Sequence, residues 1–201
     1  MPSVATTASG DRGSFAPCGP KKIEEFHGIT ALRSGRTVVR RTWPDDIPPL
    51  LQAAQAAMRT ALASETVVKR VAAQHPDAFW TFLRNDRLVG FLAMLMLNRA
   101  GLEALLSGHI DLQDPAPRFL SGSNDRPVAI YIWGVFASAL AVDGVAEVML
   151  RLRSPQYDST DIYASQATKR GARFLQRLNF QPVPGSLRNL YRYIRLANRP
   201  H

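Results

Sequence analysis

The stretch Ala141-Val142-Asp143-Gly144-Val145-Ala146 follows a run of strand-forming residues and opens a segment with helical spacing. A strand-to-helix turn containing glycine can aim bare backbone N–H groups at a phosphate, helped by the positive end of the helix dipole. Val142, Asp143, Gly144, Val145 and Ala146 are the consecutive residues that would supply such donors. No Lys or Arg lies in the loop, so backbone alone would hold an anion there. Asp143 works against that use unless its carboxylate turns away, and its expected role is to cap the helix that follows. For proton transfer at neutral pH the suited side chain is an imidazole. His109, near Asp111 and Asp114, supplies one but reads as a solvent-exposed loop residue, and Tyr131 offers a phenol in a strand-like run.

Other chemistries fail on inventory. One cysteine, Cys18, and four histidines, at 27, 75, 109 and 201, form no metal-ligand spacing, so no metal is expected. Neither a Gly-x-Ser-x-Gly elbow nor a Walker loop is present. The chain has 201 residues and is 46% hydrophobic, which suits one globular domain with a tail. The apolar run Leu88–Leu97 is too short to span a bilayer, and the first residues lack the basic and apolar regions of a secretory signal. A cytoplasmic protein without a membrane partner is therefore expected. The formal charge is +9, yet the basic residues are spread along the chain, which speaks against nucleic acid. The densest basic group, Arg188, Arg192, Arg195 and Arg199, reads as the solvated arginine face of a terminal strand.

The elements that must position these residues follow from periodicity and punctuation. Residues 1–22, rich in Ser, Thr, Gly and Pro, read as a disordered tail, and 23–201 as a single domain. Thr37–Thr42 predicts a strand, and Ile47, Leu50, Leu51, Ala54 and Met58 share one helical face, with Pro48 and Pro49 tolerated in its first turn. A second helix is predicted over Glu65–Gln74. Strands follow at Ala78–Leu83 and Leu88–Leu97, joined by a tight turn at Asn85-Asp86. Residues 98–126 read as an insertion with one short helix near Leu102–Leu106. Val128–Phe136 is the strongest strand signal, and a helix then runs to about Arg153. The remainder is read as strand (Asp161–Ala164), helix (Lys169–Leu178) and two strands (Phe180–Val183 and Leu190–Leu196).

That order of elements, with a glycine loop after the fourth strand, resembles the GNAT superfamily of N-acyltransferases over residues 36–197. Two stretches carry the resemblance. Ala141–Ala146 is similar to the pyrophosphate loop Gln/Arg-x-x-Gly-x-Gly/Ala: Gly144 and Ala146 match, and Ala141 stands where Gln or Arg is usual. Thr168–Phe180 resembles the late segment Asn-x-x-Ala-x-x-Phe-Tyr-x-x-Leu-Gly-Phe: Phe174, Leu178 and Phe180 match, while Thr168, Gly171, Leu175 and Asn179 depart from it. The implied fold is α/β (α+β), a central mixed but mostly antiparallel sheet flanked by helices.

The resemblance implies transfer of an acyl group, expected to be acetyl, from acyl-coenzyme A to a small-molecule or protein amine. A homodimer is a permitted assembly. The pyrophosphate would lie on Val142–Ala146. The pantetheine arm would pair with Val135, Phe136 and Ala137 where Gly134 lets the strand bulge. The family tyrosine that protonates the leaving thiolate is replaced by Leu175, so Tyr163, Ser165 or Thr168 would have to stand in. The insertion would form part of the acceptor side. Two alternatives remain: a GNAT-fold module that has lost catalysis, and an acyltransferase with a longer acyl donor.

Overall fold

Strand side chains alternate between the two faces of a sheet, and in this chain both faces are apolar. The computed structural model describes residues 36–57, 62–138, 141–166 and 169–195. The predicted tail, Cys18, Met58 and Thr168 lie outside the described residues. Seven strands, β1 (Val38–Arg41), β2 (Phe79–Arg84), β3 (Arg87–Leu97), β4 (Ala129–Ala137), β5 (Asp161–Ser165), β6 (Gln181–Pro182) and β7 (Leu190–Tyr193), form one sheet in the order β1-β2-β3-β4-β5-β7-β6. Every neighbouring pair is antiparallel except β4–β5, which is parallel. The helices are α1 (Ile47–Ala57), α2 (Glu65–Gln74), α3 (Arg99–Leu106), α4 (Val142–Arg151) and α5 (Lys169–Arg177).

On the first face, Phe91, Leu95, Leu97, Tyr131 and Tyr163 pack with α1, α2 and α3. On the second, Phe82, Met94, Ile130 and Ile162 pack with Val148 of α4 and Leu175 of α5. Local signals place several boundaries. Ser64 caps α2 by accepting from the Val67 N–H at 3.3 Å. Asn85 and Asp86 both adopt positive φ, the conformation a two-residue hairpin turn needs.

The insertion is more ordered than its composition suggests. Asn98 caps α3, its Oδ1 accepting from the Gly101 N–H at 2.9 Å, while its Nδ2 donates to the Arg118 carbonyl at 2.8 Å. A Cβ at Gly101 would lie 2.1 Å from the Phe119 carbonyl oxygen, so this glycine lets the second half of the insertion fold back on the helix. The predicted solvated arginine face is corrected. Arg192 pairs with the buried carboxylate of Asp161, and Arg195 is buried, donating to the carbonyls of Thr160 and Leu152 at 3.1 and 2.9 Å. Carbonyls left over at the ends of a strand and a helix need donors, and long arginine side chains reach them.

A second buried polar group lies where β2 begins. Asp77 accepts from Arg41 Nε at 2.8 Å and from the Tyr157 hydroxyl at 2.6 Å, and its own N–H donates to His75 Nδ1 at 3.2 Å. The Tyr157 phenol is pushed well up by burial and by its carboxylate partner. His75 is 1% exposed, and its Nε2 has no hydrogen-bond partner among the described residues. Burial holds this imidazole below the ordinary histidine range, with Arg41 adding in the same direction against Asp77 and Asp125. The unfolded chain therefore takes up this proton first as pH falls, so the stabilisation is present above about pH 6.5 and is lost below it. The melting temperature is expected to drop between pH 7 and pH 5. In His75→Gln that drop should be smaller by at least about 2 °C. Identical pH profiles by calorimetry would show that His75 does not carry the effect.

Candidate active site

β4 carries the feature from which the site develops. Its antiparallel register with β3 pairs Ala93 with Gly134 and then Met94 with Ile132, leaving Trp133 as one extra residue. Such a bulge bends the strand and strengthens its twist. On its other side β4 pairs in parallel with β5 from Ala129↔Asp161 to Ile132↔Ala164 and no further, although β4 runs on to Ala137. Beyond that rung β5 ends at Ser165 while β4 continues, and among the described residues no strand pairs with that edge. Val135 is 46% exposed there, and Phe136 packs on Phe91 with ring centroids 6.1 Å apart. An extended ligand can hydrogen-bond to such an edge as an added strand would.

The N-terminus of α4 follows directly. The helix begins at Val142 with Ala141 in the cap position, so Asp143 is the second helical residue and not the cap that was expected. Ala141 is fully buried in the second-face core. The N–H groups of Gly144 and Val145 both donate to the Ala141 carbonyl, at 3.0 and 3.2 Å. The N–H of Ala146 belongs to the helical ladder. The first-turn donors at Val142 and Asp143 have no intrahelical carbonyl to serve, and among the described residues neither has a backbone acceptor. Gly144 has a packing role of its own: a Cβ there would lie 2.9 Å from two ring carbons of Phe82. The glycine lets α4 settle on the sheet, which a ligand-only reading of the loop misses.

The candidate proton-transfer groups lie on the first face, across the sheet from α4. Tyr131 and Tyr163 are register partners on β4 and β5, each only 4% exposed. The Tyr131 hydroxyl and Ser165 Oγ share a hydrogen bond of 2.9 Å. Burial raises both phenols. At Tyr131 the Ser165 hydrogen bond and the Arg188 cation pull the other way, and at Tyr163 the Arg192 cation does, with its guanidinium carbon 5.9 Å from the ring centroid. Both are therefore neutral hydrogen-bond donors at neutral pH and not bases. Arg188, read in the sequence only as part of a solvated arginine face, donates to the carbonyls of Gly108 and Ile110 at 3.1 and 2.7 Å. His109 is exposed as expected, with Nδ1 2.9 Å from Ser107 Oγ. No cluster of metal-ligating residues occurs among the described residues, and none of their helices is long and apolar enough to cross a membrane.

No protein-family model matches the sequence, and no curated protein is similar to it by sequence. Solved structures are similar in fold. The loading GNATL domain of CurA from Lyngbya majuscula has a TM-score of 0.58 at 14% identity, covering 79% of this chain and 97% of that one. The diaminobutyrate acetyltransferase EctA from Paenibacillus lautus, in complex with its substrate and coenzyme A, has a TM-score of 0.51 at 14% identity, covering 83% and 99%. A GNAT family acetyltransferase from Brucella melitensis, in complex with acetyl-CoA, has a TM-score of 0.51 at 10% identity, covering 83% and 92%. The chain has the GNAT fold.

Two departures from the GNAT late segment acquire physical reasons. Asn179 has φ of 62°, the left-handed conformation that ends many helices and that asparagine tolerates in place of glycine. Its N–H donates to the Gln176 carbonyl and that of Phe180 to the Leu175 carbonyl, both at 3.0 Å, which closes α5 in a Schellman turn. Leu175 and Phe180 are both buried in the second-face core, the apolar contact such a turn favours. Leu175 is thus a core residue with no role in proton transfer.

Because Gly144 is a packing residue, Gly144→Ala is expected to destabilise the protein by about 1–3 kcal/mol through overpacking against Phe82. Gly144→Ala with Phe82→Leu should recover part of the loss. A urea midpoint unchanged in the single variant would show that α4 shifts freely and that the glycine is dispensable for packing.

Proposed function

We propose that the chain is an acyl-coenzyme A-dependent N-acyltransferase, with acetyl as the acyl group and an amine as acceptor. The observation that carries this reading is the end of β4–β5 pairing at Ile132↔Ala164 beside the N-terminus of α4. It sets an unpaired strand edge next to free helical N–H donors, one suited to an amide-bearing arm and the other to a diphosphate. The likeness to acetyltransferase structures that hold coenzyme A or acetyl-CoA supports it.

In this reading the free edge at Val135, Phe136 and Ala137 orients the pantetheine arm, and Val142 and Asp143 offer backbone donors to the pyrophosphate. Gly144, Val145 and Ala146 shape that turn. The acceptor nitrogen bonds to the thioester carbonyl carbon, the carbon–sulfur bond breaks, and the proton lost by the amine ends on the thiol. Neutral Tyr163, with Tyr131 and Ser165 beside it, can donate to the departing sulfur. Thr168 keeps the same candidate role from its sequence position.

Two measurements test the reading. Acetyl-CoA at a hundredfold excess over its dissociation constant should stabilise the protein by about 2.7 kcal/mol. Val142→Glu should abolish that effect: the side chain is 60% exposed, so the change places a carboxylate at the helix N-terminus without disturbing the core. Equal stabilisation of the variant would remove the pyrophosphate assignment, and no stabilisation of the wild type would remove the function. For Tyr163→Phe the acyl-transfer rate should fall at least about tenfold with acetyl-CoA affinity intact, in line with general acid help. A rate within twofold of wild type would clear Tyr163.

A further inference from the structure

The insertion does more than lengthen the chain. After α3, residues 107–115 cross the first face of the sheet and are held by side chains from three separate elements. Trp133, the bulged residue of β4, donates its indole N–H to the Leu112 carbonyl at 2.8 Å. Arg188, from the loop before β7, donates to the carbonyls of Gly108 and Ile110. Arg70, from α2, binds the Asp114 carboxylate and donates to the Pro115 carbonyl at 2.9 Å.

Within the segment, the His109 and Ile110 N–H groups both donate to the Ala104 carbonyl, at 2.8 and 3.1 Å, and Asp111 Oδ1 accepts from the Gln113 N–H at 2.8 Å. Ile110 is buried in the same core as Tyr131 and Tyr163. A polar loop lying loosely on the surface would show neither a buried aliphatic anchor nor three outside donors aimed at its carbonyls. Both fastenings lie near Tyr131: Trp133 is two residues along β4, and Arg188 is near enough for its charge to act on the phenol.

We propose that residues 107–115 are a fixed strap over the acceptor side of the β4–β5 opening, which admits a compact amine and excludes an extended peptide. This rests on the acyltransferase reading. A peptide presenting its terminus or a lysine has to lay several residues, each about 3.3 Å long, across the surface leading to the site. A strap tied to β4, α2 and the β7 loop occupies that surface, whereas a single amino acid, a diamine or an amino sugar needs only the gap. Specificity of this kind comes from what is kept out.

Acyl transfer from acetyl-CoA is to be measured for a panel of compact amines (free amino acids, diamines and amino sugars) and for octapeptides with a free N-terminus or an internal lysine. Wild type should acylate at least one compact amine with kcat/KM about a hundredfold or more above any peptide. Arg188→Ala should narrow that ratio about tenfold or more, and so should Trp133→Phe, which keeps the ring and removes the donor. In parallel, amide exchange at His109 and Ile110 should be as slow as in the centre of β4 and at least about a hundredfold faster in Arg188→Ala.

Peptide turnover within tenfold of the best amine would overturn the proposal. Strap amides that exchange in wild type as fast as an open loop would do the same, even with acyl transfer intact. No transfer to any acceptor would instead sink the acyltransferase reading, and the amine-size claim with it, while the exchange rates would still decide whether the strap is fixed.

Discussion

One extra residue in β4 organises the molecule. Trp133 has no partner on β3, and pairing with β5 ends one residue earlier, at Ile132. A bulge adds bend and twist at a single point, so the strand turns as it runs past the end of β5 at Ser165 without losing its ladder to β3, which resumes at Gly134↔Ala93. The same residue turns a large ring onto Phe79, at 5.9 Å and nearly edge-on, and spends its indole N–H on the insertion. Opening on one side and fastening on the other therefore share one cause.

That geometry divides labour between the faces. α4 lies on the second face and brings a helix N-terminus to the opening, with Gly144 pressed on Phe82 so that no side chain separates helix from sheet. The polar groups fall on the first face, where Tyr131, Tyr163 and Ser165 cluster at the last paired rungs. Under the proposed function, donor and acceptor substrates approach from opposite faces and meet where β4 and β5 part. Both phenols are held neutral by burial, so the chemistry open to them is donation to the sulfur, with the acceptor's proton restoring the phenol afterwards.

The elements with strong local signals were legible in the sequence. α2 spans the residues predicted for it, Glu65–Gln74, and the Asn85-Asp86 turn follows from two residues that accept positive φ. Gly134 pointed to a bulge in β4 at the right place, though the unpaired residue is Trp133. What the sequence could not carry were contacts between distant segments. Arg188 reaches Gly108 and Ile110, and Arg195 reaches Leu152, across separations that periodicity does not see. The expected solvated arginine face failed for that reason. Asp143 was misplaced by two helical positions, because a turn with no side-chain cap gives no local mark of where its helix begins.

The departures from the GNAT pattern look different once each is placed on a face. Leu175 and Ala141 are both core residues of the second face, where a tyrosine and a Gln or Arg would otherwise supply polar groups. Read along the chain, they suggest decay of a site. In the fold they sit in an apolar layer that also seats α4 and α5, while the first face carries two phenols, a serine hydroxyl and the Arg188 guanidinium around one end of β5. The Tyr131–Ser165 hydrogen bond and the three donors aimed at one strap keep these polar groups satisfied, as buried polar groups destabilise unless each finds a partner. The pattern fits relocation of polar function from the α5 face to the strand rungs. Under the proposed function, the proton donor belongs to the same layer that Trp133 and Arg188 fasten.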